Sequence, residues 1–359
     1  MNTIFPDSTV FFTGKKALIL LKEFITKSIN PDKIFIITDN NVEKYCLNTI
    51  KKIFKNSYKP EILTIPDNEI NKNIATCEIL WEKLAEKGAS RKSLIINMGG
   101  GLVSDIGGFI AATFKRGLKY INIPTTLLAQ IDASIGGKTS IDFKGIKNLI
   151  GVFSFPEAIL IYPDFINTIS EQQKKSGFAE MVKIALACDR SFWQHIYETK
   201  YENITNWSIL INRAIAIKLQ VVGADPFETG FRKVLNFGHT IGHAFESFSL
   251  LNNSRPLLHG EAVAMGMICE TILSKKITGL KPEETDEIIN YLLSNFPYFK
   301  ISKDNISALL KLTYYDKKNE SEELKFTLLT SPGRAIIGQK VSPEEVEQCL
   351  EEYILLNNN

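Results

Sequence analysis

Within the first 165 residues, short β-rich apolar runs alternate with segments of helical spacing. KIFIIT (33–38) stops at Asp39-Asn40-Asn41, and LIINM (94–98) stops at Gly99-Gly100-Gly101. YINI (120–123) and AILIY (158–162) follow. Between the first two lies 72–87, where Ile74, Ile79, Trp81 and Leu84 recur at helical spacing. Runs too apolar to have a wet face, separated by helices, predict a parallel sheet covered on both sides. After about residue 165 the texture changes. Segments 174–188, 208–222, 237–248, 260–276, 283–295 and 343–355 read as helices, interrupted by one β-like stretch, KFTLLT (325–330). The expected organisation is an α/β half over 1–168 and a mostly helical half over 169–359, in keeping with a 359-residue chain long enough for two domains.

Charge narrows the function classes. With 42 basic and 40 acidic side chains the net charge is +2, which gives no case for nucleic acid or an anionic membrane surface as partner. No run approaches 18 consecutive apolar residues, so no membrane span is expected. The start, MNTIFPDSTVFF, lacks the basic and apolar regions of a signal peptide and reads as the mature start of a soluble chain. Cys46, Cys77, Cys188, Cys269 and Cys349 are scattered, odd in number and form no CxxC pair. They read as free thiols in a reducing compartment, and a cytoplasmic location follows.

Ten of the 22 glycines fall between 99 and 151, which makes the α/β half a binding platform where backbone can approach a ligand closely. The Gly99-Gly100-Gly101 junction, followed by Asp105 and Gly107-Gly108, lacks GxGxxG spacing. Taken alone it reads equally as a phosphate-binding turn or a plain tight turn. Three of the four histidines, His239, His243 and His259, lie within 21 residues. His239 and His243 share a helix face, and the group suggests a metal site, the alternative being capping or core histidines. Glu180, Glu246 and Glu261 are candidates for a carboxylate ligand, and the absence of HExxH disfavours a zincin protease. His195 has no partner in sequence and reads as structural. Arg116, Lys138, Lys147, Lys183, Lys218 and Arg232 sit in apolar or glycine-rich surroundings. Together they suggest a polyanionic substrate; each alone would pass for a snorkelling surface side chain.

The strings GGGLVSDIGGFIAATFKRG (99–117), IPTTLLAQIDASIGGKT (123–139), KNLIGVF (147–153), SGFAEMVK (176–183), LNFGHTIGHAFE (235–246) and LHGEAVAMGM (258–267) resemble the 3-dehydroquinate synthase family of the sugar-phosphate cyclase superfamily. The resemblance runs from about residue 33 to 340. It implies a Rossmann-like α/β domain, a helical domain, an active site in the cleft between them, and a homodimer. It makes Glu180, His239 and His259 ligands of one divalent metal, Zn2+ or Co2+, and turns His243 into a substrate-side residue. It implies NAD as cofactor, held by Asp39, Asn41, Glu69, Lys72, Gly100, Gly101, Asp105, Thr125, Thr126, Asp132, Lys138, Lys147, Phe165, Thr168 and Gln172. The substrate would meet Asp132, Lys138, Asn148, Lys183, Lys218, Arg232, Asn236, His243 and Lys318 or its neighbour Lys317, and Arg116 would reach the neighbouring subunit's site. This chain departs from the family in reading GIKN where many relatives read GKN, and in the longer insert SFSLLNNSRPL between the two metal histidines.

The implied reaction converts 3-deoxy-D-arabino-heptulosonate 7-phosphate into 3-dehydroquinate and phosphate, within the shikimate pathway of aromatic amino acid biosynthesis. It runs through transient oxidation by NAD, phosphate elimination, re-reduction and intramolecular aldol closure. Alternatives are a 2-epi-5-epi-valiolone or 2-deoxy-scyllo-inosose synthase-like cyclase and a glycerol-dehydrogenase-like NAD oxidoreductase. Arg232, Asn236 and Lys218 favour a carboxylated substrate over the first. The cluster of cations speaks against the second. A noncatalytic binding module would be expected to have lost Glu180, His239 or His259, and all three are present.

Overall fold

Six of the apolar runs form one parallel sheet. The strands are β1 (Val10–Thr13), β2 (Ile34–Asp39), β3 (Glu61–Ile65), β4 (Leu94–Gly99), β5 (Lys119–Pro124) and β8 (Ala158–Ile161), in the order β1-β8-β5-β4-β2-β3. Between β5 and β8, β6 (Lys138–Phe143) and β7 (Ile146–Phe153) make a separate antiparallel hairpin. In this computed structural model the described residues are 9–14, 16–54, 57–144, 146–253, 255–315 and 324–356.

Period-2 geometry explains why these strands look continuously apolar. Ile34, Ile36, Leu94, Ile96, Ile121 and Ile123 face one core, while Phe35, Ile37, Leu63 and Ile95 face a second core on the other side. Every residue of β2, β4 and β8 is buried, and each fully buried Ile is worth roughly 1.5–3 kcal/mol. Helix Gly101–Thr113 lies tight on β4: a Cβ at Gly107 would stand 1.9 Å from Asn97 Oδ1. Beneath it, Asn97 Nδ2 donates to Asn122 Oδ1 at 3.0 Å and Asn122 Nδ2 to Ser134 O at 3.2 Å, so a buried polar ladder crosses β4 and β5.

The chain divides into two compact units, Met1–Ser170 with Ser208–Pro226, and Glu171–Trp207 with Phe227–Asn359. Residues 208–226 thus return to the first unit, which a single boundary near 168 does not contain. All but the last two belong to helix Trp207–Ala224, the described helix long and apolar enough to cross a membrane, with a mean hydropathy of 1.2. Half of its apolar window is buried inside the protein and it carries the buried Lys218, as a core helix does.

The second unit is helical. Helix His259–Ile277 is buried at every position from Gly260 to Ser274, the pattern of a helix covered on all sides. Helices Glu171–Cys188, His239–Asn252, Pro282–Asn295 and Pro343–Leu355 pack around it. The KFTLLT stretch is strand β9 (Lys325–Ser331), paired antiparallel with β10 (Arg334–Lys340).

Candidate active site

In the first unit, strand order reverses between β2 and β4: the chain leaves β2 for β3 on one side and later adds β4, β5 and β8 on the other. Such a reversal opens a crevice at the carboxyl ends of the strands, where ligands bind in open α/β sheets. Here those ends are Asp39 and Gly99. Helix Gly101–Thr113 starts beside them with Gly100 as its N-cap and no side-chain cap, while the buried Ser104 hydroxyl in its first turn has no hydrogen-bond partner among the described residues. Uncapped N–H groups and an orphaned hydroxyl fit an anionic group such as a pyrophosphate. The IPTT loop is tied to the same point, since Thr125 N–H donates to Gly99 O at 2.9 Å and Thr126 Oγ1 accepts from Ala129 N. A Cβ at Gly100 would press on Thr126 Cγ2 at 3.2 Å, and one at Gly101 would meet Ala133 Cβ at 3.5 Å.

Other expected nucleotide residues lie around this edge. Asp39 is buried and N-caps the following turn, accepting from Val42 N at 2.9 Å, and burial pushes its carboxyl up from the ordinary value. Asn41 donates to Asp67. Phe165 is buried, and Thr168 bonds Phe165 O at 2.7 Å and lies 3.3 Å from Cys46 Sγ. Lys72 is buried and ion-pairs Asp105 at 2.5 Å and Glu69 at 3.8 Å. Burial alone would lower its ammonium, but those carboxylates outweigh it and hold it charged. Lys72 also donates to Asn148, whose side chain accepts from Ser140 as well and whose backbone is left-handed at φ 53°. Lys72 thereby ties the helix bearing Asp105 to the β6–β7 hairpin, which carries Lys138, Lys147 and Asn148. Lys218 donates to Asp132 O at 2.8 Å and ion-pairs the Asp132 carboxylate. Arg116 is exposed, with a left-handed backbone at φ 70° next to Lys115 at φ 50°.

In the second unit, Glu180, His239 and His259 converge. Glu180 Oε1 lies 3.8 Å from His239 Nε2 and 3.5 Å from His259 Nε2. The carboxylate is fully buried; Lys183 Nζ approaches Oε2 to 2.5 Å as an ion pair, and Oε1 faces the two imidazoles. His239 Nδ1 faces Phe237 O at 3.3 Å, and a carbonyl can only accept, so Nδ1 carries the proton and Nε2 keeps its lone pair. His259 Nδ1 likewise meets Glu246 Oε2 at 3.4 Å. Two imidazoles held from behind by acceptors, with their other nitrogens aimed at one buried carboxylate, fit the donor set and outer contacts of a three-ligand divalent-metal site.

His243 belongs to the same cluster. The histidine trio brings one nitrogen each within 4.8 Å of one another, so spacing alone admits His243 as a ligand. What joins Glu180 to His239 and His259 is the pair of contacts to its Oε1. Burial would raise the Glu180 carboxyl, but Lys183 and the two histidines hold it well below the usual range. His239 is pushed well down by burial and by Lys183. Burial pulls His259 down too, yet Glu246 and Glu180 outweigh it and lift it to about 9.

Of the three carboxylates weighed as ligands, Glu246 instead backs His259, and Glu261 caps its helix, accepting from Leu258 N at 2.8 Å. Glu261 also accepts from Gln172 Nε2 at 2.9 Å, so Gln172 stands in the second unit beside the His259 helix. Sequence reasoning missed Glu228. It pairs Arg232 at 3.7 Å and accepts from Asn236 Nδ2 at 3.2 Å, orienting two expected substrate residues. Its spacing of four and eight residues from them was the available signal, hidden because Gly230 breaks the helical pattern. His195 lies exposed on helix Arg190–Thr199, and Lys317 and Lys318 lie outside the described residues.

Residues 62–176 match the family model of the 3-dehydroquinate synthase N-terminal region, and residues 177–319 match that of its C-terminal region. A 3-dehydroquinate synthase of Parabacteroides distasonis is 39% identical over 335 residues, covering 93% of this chain and 94% of that protein. A 2-deoxy-scyllo-inosose synthase in complex with carbaglucose-6-phosphate, NAD+ and Co2+ superposes with a TM-score of 0.84 at 24% identity, covering 95% of this chain and 96% of the other. A 2-epi-5-epi-valiolone synthase of Streptomyces hygroscopicus subsp. jinggangensis, with NAD+ and Zn2+ bound, gives 0.82 at 22% identity, covering 100% of this chain and 99% of the other. At those identities the two structures speak to the fold.

Proposed function

The chain belongs to the 3-dehydroquinate synthase family, and we propose that it converts 3-deoxy-D-arabino-heptulosonate 7-phosphate into 3-dehydroquinate and phosphate, as a carbon–oxygen lyase of the shikimate pathway. The observation that carries this reading is the two family models, which meet without a gap and together span 62–319. NAD, when bound, supplies a reversible hydride acceptor and a divalent metal, Zn2+ or Co2+, a Lewis acid. The crevice at Asp39 and Gly99 would hold the nucleotide, and Glu180, His239 and His259 the metal.

The remaining side chains bind and orient. A substrate with a carboxylate and a phosphate calls for several cations, which Lys138, Lys183, Lys218, Arg232 and a lysine of the 317–318 pair would supply, with Asn148, Asn236 and His243 as further polar partners. Ion pairs aim the buried ones: Lys218 is held by Asp132, Arg232 by Glu228 and Lys183 by Glu180. With Glu180 among the metal's ligands, Lys183 would stand beside that site as a cation for the substrate's anionic groups. Holding one reactive conformer is then much of the protein's contribution. We place the working enzyme in the cytoplasm as a homodimer whose Arg116 serves the partner's site.

The test is an assay with the heptulosonate phosphate, Co2+ or Zn2+, and NAD at a small fraction of the substrate. Phosphate release matched by a dehydratable product, with no accumulation of NADH, is the expected result. Turnover of a sugar phosphate that lacks the carboxylate, in place of the heptulosonate, would assign the chain to another cyclase. NADH formed in proportion to product would make it a dehydrogenase.

A further inference from the structure

We propose that Glu270 is a positioning residue for the metal site, setting where His239 stands relative to His259; this rests on the reading of Glu180, His239 and His259 as ligands. Glu270 lies on the His259–Ile277 helix and is fully buried, a costly place for a carboxylate without partners. Its partners are the start of the other histidine helix. Oε2 accepts from Gly238 N at 2.6 Å and Oε1 from Ile241 N at 3.2 Å. Helix His239–Asn252 has no N-cap side chain of its own, because its N-cap is Gly238, left-handed at φ 79°. A carboxylate from the neighbouring helix therefore takes the place of a local cap, satisfying two first-turn N–H groups and meeting the positive end of the helix.

The residue that begins this clamped turn is His239. One helix thus presents His259 at its first residue and, through Glu270 eleven residues later, grips the peptide that launches His239. The two backbones touch between these points, where a Cβ at Gly266 would lie 1.9 Å from Gly238 O. Helix contact sets the separation of the helices, and Glu270 sets the rotation and register of the His239 turn. Nothing in the metal reading requires a carboxylate there. Apolar side chains would fill the space, but two buried N–H groups would be left unpaired.

The experiment compares Glu270→Gln with Thr271→Val, using Co2+ as the probe. Thr271 is the adjacent buried residue, and its Oγ1 bonds Met267 O at 2.7 Å within its own helix, so its loss perturbs the same core without touching the His239 turn. Glu270→Gln keeps size but sets an NH2 against an N–H. It should shift the visible d–d bands of bound Co2+ and weaken Co2+ in chelator competition by about tenfold or more, the range for lost outer contacts. Thr271→Val should leave bands and affinity at wild type. Glu270→Asp, with the charge kept and the reach shortened, takes the place of the glutamine variant if that chain is not recovered folded, and the same shift is expected. Wild-type bands and affinity in the Glu270 variant, or an equal shift in Thr271→Val, would overturn the inference alone. A wild-type chain that binds no Co2+ would overturn the metal reading and this inference with it.

Discussion

His259 stands between two carboxylates, Glu246 behind it and Glu180 in front, and this fixes how metal uptake depends on pH. A metal takes the neutral imidazole, whereas in the metal-free chain burial is outweighed by those carboxylates and the imidazolium persists to about 9. Binding at neutral pH must therefore expel a proton, and the apparent Co2+ affinity should rise by about tenfold per pH unit up to that value. Chelator competition between pH 6 and 9 measures it; a flat profile would show that His259 is not a ligand. The same raised value makes a linked statement about the metal-free fold. The stabilisation from charged His259 is complete below the unfolded value of 6.5 and is lost as pH climbs through about 9. Removing a ligand acts more bluntly. Glu180→Gln, His239→Ala or His259→Ala should each abolish tight metal binding and activity, and full metal stoichiometry in any one would remove that residue from the set. Glu246→Gln should be milder, weakening metal by about 10–100-fold through His259 orientation. His195→Ala, on an exposed helix face, should leave activity near wild type.

At the scale of elements, the proposed metal ligands ride on helices packed backbone to backbone, which makes certain glycines more demanding than the polar residues nearby. A Cβ on Gly266 would strike Gly238 O at 1.9 Å and Gly242 N at 2.6 Å. Neither is a side chain that can swing away. Gly266→Ala should cost about 1–3 kcal/mol of stability and weaken metal binding as the two histidine helices part. Gly223→Ala, on helix Trp207–Ala224 with nothing among the described residues within 4 Å of the new methyl, should instead gain about 0.4–1 kcal/mol. Thermal unfolding of both variants checks the contrast, and equal destabilisation would refute it. These contacts mark where the sequence stops being legible. LIINM and KFTLLT read as strands because burial leaves a local signature, whereas β10 (RAIIGQK), half-exposed and broken by Gly338, leaves little. The periodicity of 208–222 revealed a helix but not its partner, so its return to the first unit was invisible. The histidine cluster was legible because two members are four residues apart on one helix. Glu228 and Glu270 were not, since the first precedes a glycine break and the second acts on a peptide 32 residues away.

At the scale of the whole molecule, the sharpest prediction concerns Arg116, which is exposed on a short left-handed turn after helix Gly101–Thr113. A guanidinium there has two possible roles. As a surface charge near a helix end it would contribute at most about 1 kcal/mol, and its loss would leave turnover nearly intact. As a bidentate holder of the partner's phosphate group it would be needed for catalysis yet not for filling its own subunit with NAD or metal. Arg116→Ala should then bind both cofactors at wild-type affinity while losing most activity. A two-fold dimer sharpens the test, because each site would draw its metal ligands from one chain and its arginine from the other. Mixing inactive Arg116→Ala with inactive His239→Ala makes half of the dimers mixed at full exchange. Each mixed dimer holds one site with both groups intact, so about a quarter of wild-type activity should return. Recovery should follow subunit exchange, measured by mass, and activity should fall on dilution below the dimer's dissociation constant. Complete exchange with no recovered activity would place Arg116 within its own chain's site. Near wild-type activity in Arg116→Ala alone would return it to the surface.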